Sequence, residues 1–235
     1  MALELASGPV KIAELCDRTV LNPDYTDVAF VWTGLRLFMS EISEFRLIGR
    51  QQVFDVELDD GSIVRASATS RFAMKSGAYR MAPELSPGDS LLPLYFGVDF
   101  HGYPTYKVPG KDVKQKIYRL MAEWKHGKSL EKGTEVKHID GNRKNFHPDN
   151  LTITPNKRSQ RKHKHKIVKA YEDAQKLLDE CAAASPMMAE IAKSKRRTNH
   201  KVRRSTPGLV EPVYTASVRS MGSVSVSGVF LELPA

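Results

Sequence analysis

Cysteine is scarce in this chain: 235 residues contain two, Cys16 and Cys181. Thiols that far apart in sequence supply neither a disulfide framework nor a zinc knuckle, so they read as core or surface thiols of a reducing compartment. Long apolar runs are missing as well. No stretch approaches the roughly 18–20 apolar residues of a membrane span, and the N-terminus lacks a basic-then-apolar leader. These absences argue against a disulfide-stapled secreted scaffold and a helical membrane protein. The expectation is a soluble, cytoplasmic protein with no membrane partner. An even spread of charge is the third thing lacking. The formal net charge is +9 and the pI about 9.5, but residues 1–100 carry 9 Lys/Arg against 14 Asp/Glu, a net of −5. Residues 101–170 carry 18 against 6, a net of +12, and residues 171–235 carry 9 against 7, a net of +2. A basic block beside an acidic one is what modules with different partners give, and a polyanion is the obvious partner for the middle. The plain alternative is a lysine-rich solvated surface. The length allows one large domain or two modest ones.

The acidic first part reads as short strands broken by turns. GPVKIAEL reads as a strand entering a short turn, with Cys16 packed in the core behind it. QQVFDVELDDGSIVRAS reads as a hairpin: Phe54, Val56 and Leu58 alternate with Val53, Asp55 and Glu57, and Asp60-Gly61 makes the turn before Ile63 and Val64. Pro87-Gly88 in ELSPGDSLLPLYF is a turn feeding another apolar strand. The strand pattern returns after position 198, with runs at Pro212–Val218 and Val224–Leu231.

Between these segments lies the most informative stretch, EVKHIDGNRKNFHPDNLTITPNKRSQRKHKHK, residues 135–166. It holds a histidine at the end of a short apolar run (His138), a Gly141-Asn142 turn, a His-Pro-Asp-Asn-Leu segment (147–151) and a strongly basic run with His163 and His165. Gly141 is expected to need positive φ. Upstream, Val113, Ile117, Leu120, Met121 and Trp124 recur at helical spacing, giving an amphipathic helix with its lysines on the other side. FGVDFHGYPTYKVPG reads as a strand pair or linker before it. Residues 167–193 read as helical with a break at Ser185-Pro186. A neutral imidazole near its unperturbed pKa of about 6.5 suits water activation at neutral pH.

The central stretch resembles the HNH endonucleases of the phage and homing type, whose pattern runs roughly V-x-H-[IL]-[DN]-G-N-x-x-x-N-x-P-x-N-L. The resemblance implies a ββα-metal module that hydrolyses phosphodiester bonds of double-stranded DNA with a divalent metal, Mg²⁺ or Mn²⁺. It makes His138 the general base and Asn150 the side chain that ties the loop across the hairpin. Asp140, Gly141, Asn142, Asn145 and Pro148 shape that loop, and Tyr118 stands where the family usually has His. Lys137 stands where many members have a metal-ligating Asp or His. The helix ligand, usually Asn or His, falls on Arg158 or Ser159, and His163 one turn on is the remaining candidate. DNA contacts are expected from Lys137, Arg143, Lys144, Lys157, Arg158, Arg161, Lys162, Lys164, Lys166, Arg196 and Arg197. The alternative is a binding protein of the same architecture whose metal site has decayed.

The outer segments resemble the Hint fold of inteins, through VKIAEL, GRQQVFDVELDDG, PELSPGDSLLP and the closing NHKV…EPVYTASV…SVSGVFLEL. The implied architecture is α+β: a β-rich Hint-like shell at residues 1–97 and 198–235, with an HNH module at 98–197 inserted in it. The family's Thr-x-x-His pair falls on Ser67 and Ser70, and its terminal His-Asn on Glu232 and Leu233. No protein splicing is expected, because acyl shift and Asn cyclisation need a nucleophile, an imidazole and a carboxamide.

Overall fold

In a computed structural model the described residues are 2–34, 36–107, 114–131, 134–154, 200–219 and 222–234. They fall into two compact units, one holding residues of 2–95 and 200–234, the other residues of 96–107 and 114–154.

The first unit is built on strands β1 (Ala2–Leu5), β2 (Gly8–Lys11), β3 (Asp27–Trp32), β4 (Leu37–Leu58), β5 (Ile63–Ser67), β6 (Arg71–Ala73) and β7 (Tyr79–Met81). After residue 200 come β13 (Val202–Val218), β14 (Ser223–Val226) and β15 (Val229–Glu232). They form one ten-stranded sheet in the order β13-β4-β3-β1-β14-β15-β6-β7, with β2 on β1 and β5 on β4. The C-terminal strands are therefore interleaved with the N-terminal ones. β13 runs antiparallel to β4 from Val202↔Leu58 to Val218↔Ile42, and β14 pairs both β1 and β3.

β4 is longer than the alternating pattern around Val53–Leu58 announces. Its first residues, Leu37 to Ile42, pair β3 and Val53 to Glu57 pair β5, in the hairpin closed at Asp60-Gly61. Gly61, at φ 81°, donates its N–H to Leu58 O, and the Asp60 carboxylate accepts from Ser62 N. Two bulges let one strand serve both neighbours. Between Val213/Tyr214 and between Thr215/Ser217 the register with β13 shifts, and each shift puts one extra residue on β4. The left-handed Gly49 and Glu44, φ 129° and 51°, lie at these places. Such insertions bend a strand and raise its twist.

Inside lies a core that includes Leu3, Leu5, Val31, Ile42, Val56, Phe72, Leu91, Val224 and Leu231. Ile12–Leu21 corrects the expectation of a strand through IAEL: it is helix α1, with Ile12, Leu15 and Cys16 buried at helical spacing. Val10 and Ile12 alternate like strand residues, and the 3.6 period starts only at Ile12, which is why the pattern misleads. Cys16 packs in the core from that helix, and burial pushes its thiol pKa up. The run Val224–Leu231 is likewise two strands, turned at Ser227 (φ 48°) and Gly228 (φ 81°). PELSPGDSLLP makes its turn at Gly88, and Leu91 and Pro93 form single bridges to Met74 and Val229 rather than a continuous strand.

The second unit begins in β8 (Tyr95–Val98), which with β9 (Pro104–Lys107) and β10 (Gln115–Lys116) makes a three-stranded sheet in the order β10-β9-β8. Helix α2 (Ile117–His126) follows, buries Ile117, Leu120, Met121 and Ala122, and ends on Gly127 at φ 65°. The spacing beginning at Val113 overshoots the start of this helix. Gln115 and Lys116 are strand, paired with Tyr106 and Thr105, and Val113 lies outside the described residues. α2 packs on a hairpin of β11 (Glu135–His138) and β12 (Leu151–Thr154), registered His138↔Leu151 through Glu135↔Thr154. Between them a 3-10 turn spans Pro148–Asn150.

A Cβ on Gly222, where the chain enters β14, would lie 2.6 Å from Trp32 O and 2.7 Å from Val31 Cγ1. Backbone cannot yield there without moving β3, so Gly222→Ala should destabilise the first unit by about 1–3 kcal/mol. Equilibrium denaturation followed by Trp fluorescence checks this; an unchanged midpoint would contradict the close approach.

Candidate functional site

The turn between β11 and β12 is where the chemistry-bearing residues gather, and one side chain organises it. Asn150 Oδ1 accepts from Asp140 N (3.0 Å), while its Nδ2 donates to Asp140 Oδ1 and to Asn145 O, both at 2.8 Å. Asn145 Nδ2 donates to Asp140 Oδ2 at 2.8 Å, and Asn142 N donates to Asp140 Oδ1 at 2.8 Å. The main chain adds Ile139 N to Asn150 O (2.8 Å) and Gly141 N to His138 O (3.2 Å), with Gly141 at φ 72°. These donors favour the ionised form, and hydrogen bonds from Asn145 and Asn150 lead in holding the Asp140 carboxyl below its ordinary pKa.

His138 stands at the end of β11, half-buried. Tyr118 of α2 packs on its ring at 5.1 Å and 72°, and Tyr103, just before β9, at 5.9 Å and 37°. Burial lowers the imidazole pKa below its usual value; the Asp140 charge opposes this and the Arg143 charge adds to it. A neutral imidazole of this kind can take a proton from water near neutral pH. Two cations stand by. Lys116 Nζ lies 4.2 Å over the Tyr103 ring and 3.4 Å from Asp99 Oδ2. Arg143 lies over the same ring at 5.3 Å and donates to His101 O at 2.9 Å.

Of the residues singled out from sequence, the structure brings together His138, Asn150, Asp140, Asn145 and Arg143. Lys137 is exposed beside Glu135, 3.9 Å away, and Lys144 donates its backbone N–H to Asn142 Oδ1. His163, Lys157, Arg158, Ser159, Arg161, Lys162, Lys164, Lys166, Arg196 and Arg197 lie outside the described residues, as does the helix read at 167–193. Sequence reasoning misses Tyr103 and Lys116. Tyr103 sits in a Gly-Tyr-Pro-Thr-Tyr run and Lys116 in a lysine-rich one, and neither carries a motif of its own.

The donors around His138 do not by themselves fit a divalent cation. Both oxygens of Asp140 are engaged, Lys137 and Lys116 are ammonium groups, and no group of three or more His, Cys, Asp and Glu among the described residues could hold a metal ion.

In the first unit, Ser67 and Ser70 border a cavity of about 240 Å³ and their hydroxyls lie 3.0 Å apart. Glu232 pairs with Arg71 at 3.0 Å.

Known proteins resemble the chain both in a segment and over its whole length. Residues 116–161 match the family of HNH endonucleases. The whole chain superposes on a crystal structure of a mutant Ssp DnaB mini-intein with a TM-score of 0.50 at 11% identity, covering 100% of this chain and 95% of that one. A DnaB intein from Synechocystis sp. PCC 6803 gives 0.49 at 11%, covering 100% and 94%. Among curated sequences, a DNA gyrase subunit of Synechocystis sp. (strain ATCC 27184 / PCC 6803 / Kazusa) is 28% identical over 127 residues. That match takes in 48% of this chain and 12% of the relative's length. The fold is therefore the β-rich Hint fold of inteins, and it contains an HNH endonuclease module. No helix among the described residues is long and apolar enough to cross a membrane.

Asn150→Ala removes three hydrogen bonds at once and should cost the hairpin about 1–3 kcal/mol. The Ile139 and Asp140 amides should then exchange far faster by hydrogen-exchange NMR. Because the folded pKa of Asp140 is depressed, its contribution is present above the unfolded carboxylate pKa of about 4 and is lost as pH falls through the lower folded value. Amide protection in the parent should fade in that acid window, and in Asp140→Asn it should not respond to it.

Proposed function

We infer that the protein is a DNA endonuclease of the HNH homing type, hydrolysing phosphodiester bonds of double-stranded DNA. The observation that carries this is His138 at the end of β11, kept neutral by burial and set in a hairpin whose loop is locked by Asn150, within the segment that matches the endonuclease family. His138 accepts a proton from the attacking water while the new P–O bond forms and the bond to the leaving oxygen breaks. Asn150 is an orienting residue that fixes where β11 ends. Lys137, Arg143 and Lys144 bind phosphates, joined by Lys157, Arg158, Arg161, Lys162, Lys164, Lys166, Arg196 and Arg197. Such contacts give affinity without reading sequence. The module occupies 98–197, inserted in a shell made of 1–97 and 198–235, in the manner of a mobile-element or phage nuclease acting in the cytoplasm of a bacterial cell. A Mg²⁺ or Mn²⁺ requirement belongs to this reading through His163, since the described donors alone are insufficient.

That insufficiency is also what favours the second reading, a DNA-binding protein of the same architecture with a decayed metal site. Incubating the protein with phage genomic DNA and Mg²⁺, Mn²⁺ or EDTA separates the two: cleavage with either ion supports the nuclease, and none with any ion leaves binding alone.

His138→Ala should lower cleavage by about 10²–10⁴-fold and leave the DNA Kd within a few-fold, because the imidazole acts in the transition state. In the parent the acid limb of kcat/KM should lie below the ordinary histidine pKa of about 6.5, since burial depresses it. Cleavage by His138→Ala at the parent's rate would remove that residue from the chemistry.

Binding should weaken with salt at a log–log slope of about −0.9 for each phosphate neutralised. Titration of a labelled duplex between low and physiological salt reads it, and a slope near zero would overturn the nucleic-acid assignment.

A further inference from the structure

Ser67 and Ser70, which border the cavity of the first unit, are only 4% and 1% exposed. With Thr69 they form a chain of three hydroxyls: Ser67 Oγ lies 3.1 Å from Thr69 Oγ1 and 3.0 Å from Ser70 Oγ. Each hydroxyl carries one proton. Two protons fill the two bonds of the chain, and the third has no acceptor among the described residues. An acceptor inside the cavity orients the chain from Thr69 through Ser67, so that Ser70 donates into the cavity. Further donors come from helix α1, because Lys11, Ile12 and Ala13 line the same cavity where that helix begins. The first amides of a helix have no acceptor within it, and no side chain caps these. Lys11 adds an ammonium that forms no ion pair among the described residues.

The opposite sign is present as well. Glu211 lines the cavity beside Arg65, 3.0 Å away, and Arg65 also holds Asp55 at 2.7 Å. One guanidinium between two carboxylates leaves a negative charge, and Lys11 balances it. A plain anion therefore meets Glu211, and a plain cation meets Lys11 and the start of α1. A zwitterion satisfies both. The buried Ile12, Val53 and Val213 give the cavity an apolar wall. At about 240 Å³ it is smaller than the roughly 300–1,000 Å³ of pockets that take drug-sized ligands. We propose that this cavity is a binding site for a small apolar α-amino acid. Its carboxylate accepts from Ser70, Lys11 and the first amides of α1, its ammonium donates to Glu211, and its side chain lies on the apolar wall. A carboxylate at a helix start is also favoured by the helix dipole.

The test titrates a matched series into the ¹⁵N-labelled full chain: leucine, isocaproate, which lacks only the ammonium, and isoamylamine, which lacks only the carboxylate. Leucine should shift the amides of Ala13, Glu14 and Ser70 saturably. Each analogue should bind about tenfold more weakly or worse, the loss expected for one charged hydrogen-bonding group. Ser70→Ala removes the buried donor and should weaken leucine binding about tenfold. Should that variant fail to fold, Lys11→Gln, at an exposed position, makes the same measurement. Glu211→Gln should leave leucine bound no better than isocaproate. Absence of saturable shifts, equal binding of all three compounds, or a preference for leucine that survives Glu211→Gln overturns the proposal. None of these readings involves DNA, so they stand or fall apart from the nuclease reading.

Discussion

The pairing of β4 with β13 is the constraint on which the first unit depends. Arg50 and Val210, 160 residues apart in sequence, are joined there by a hydrogen bond from the guanidinium to the Val210 carbonyl, and the backbone ladder runs from Val202 to Val218. Charge decorates the ribbon without carrying it. Arg65 bridges Asp55 and Glu211 at 2.7 and 3.0 Å, and Arg203 and Arg204 converge on Glu57 at 3.3 and 2.6 Å. Exposed pairs of this kind contribute little each, whereas Val53, Val56, Leu58, Val202 and Val213, buried along the same two strands, remove apolar surface from water. The bulges at Glu44 and Gly49 keep this apolar face turned inward while the strand changes neighbours.

The second unit uses a different device on a smaller scale. The order of its loop comes from polar saturation: Asp140, Asn142, Asn145 and Asn150 satisfy one another within a dozen residues. A network closed in this way has one arrangement, because any rotation leaves several donors without acceptors. His138 inherits its position from that rigidity on one side and from the tyrosine rings on the other.

Local signals are legible where a residue type has one structural use. Asp60-Gly61 and Gly141 announce their turns because only glycine takes positive φ cheaply, and the His138-to-Asn150 spacing carries the endonuclease resemblance. What is not legible depends on partners far away in sequence. The middle of β4, Glu44 to Gln52, looks like polar loop because it is largely a ribbon with both faces partly wet. The turn at Ser227-Gly228 is hidden because serine in the left-handed region is not the usual Asn-Gly sign of a hairpin. Tyr103, Lys116 and His138 come from three elements, and no single-segment pattern connects them. The shell's resemblance is visible only as an ordered set of weak pieces, which the superposition at 11% identity joins into one fold.

The interleaving of the sheet also sets an order of events in synthesis. β14 lies between β1 and β15 and also pairs β3, so the early strands wait with open edges while the intervening module leaves the ribosome. Its helix and hairpin contacts are short in sequence and form quickly, whereas closing the ribbon is a long-range step that the chain must defer. Between those moments β4 and β6, like β1 and β3, have edges that lack their C-terminal partners. A truncation before Val202 would leave them permanently open, which makes misassembly through strand pairing the characteristic hazard of this topology.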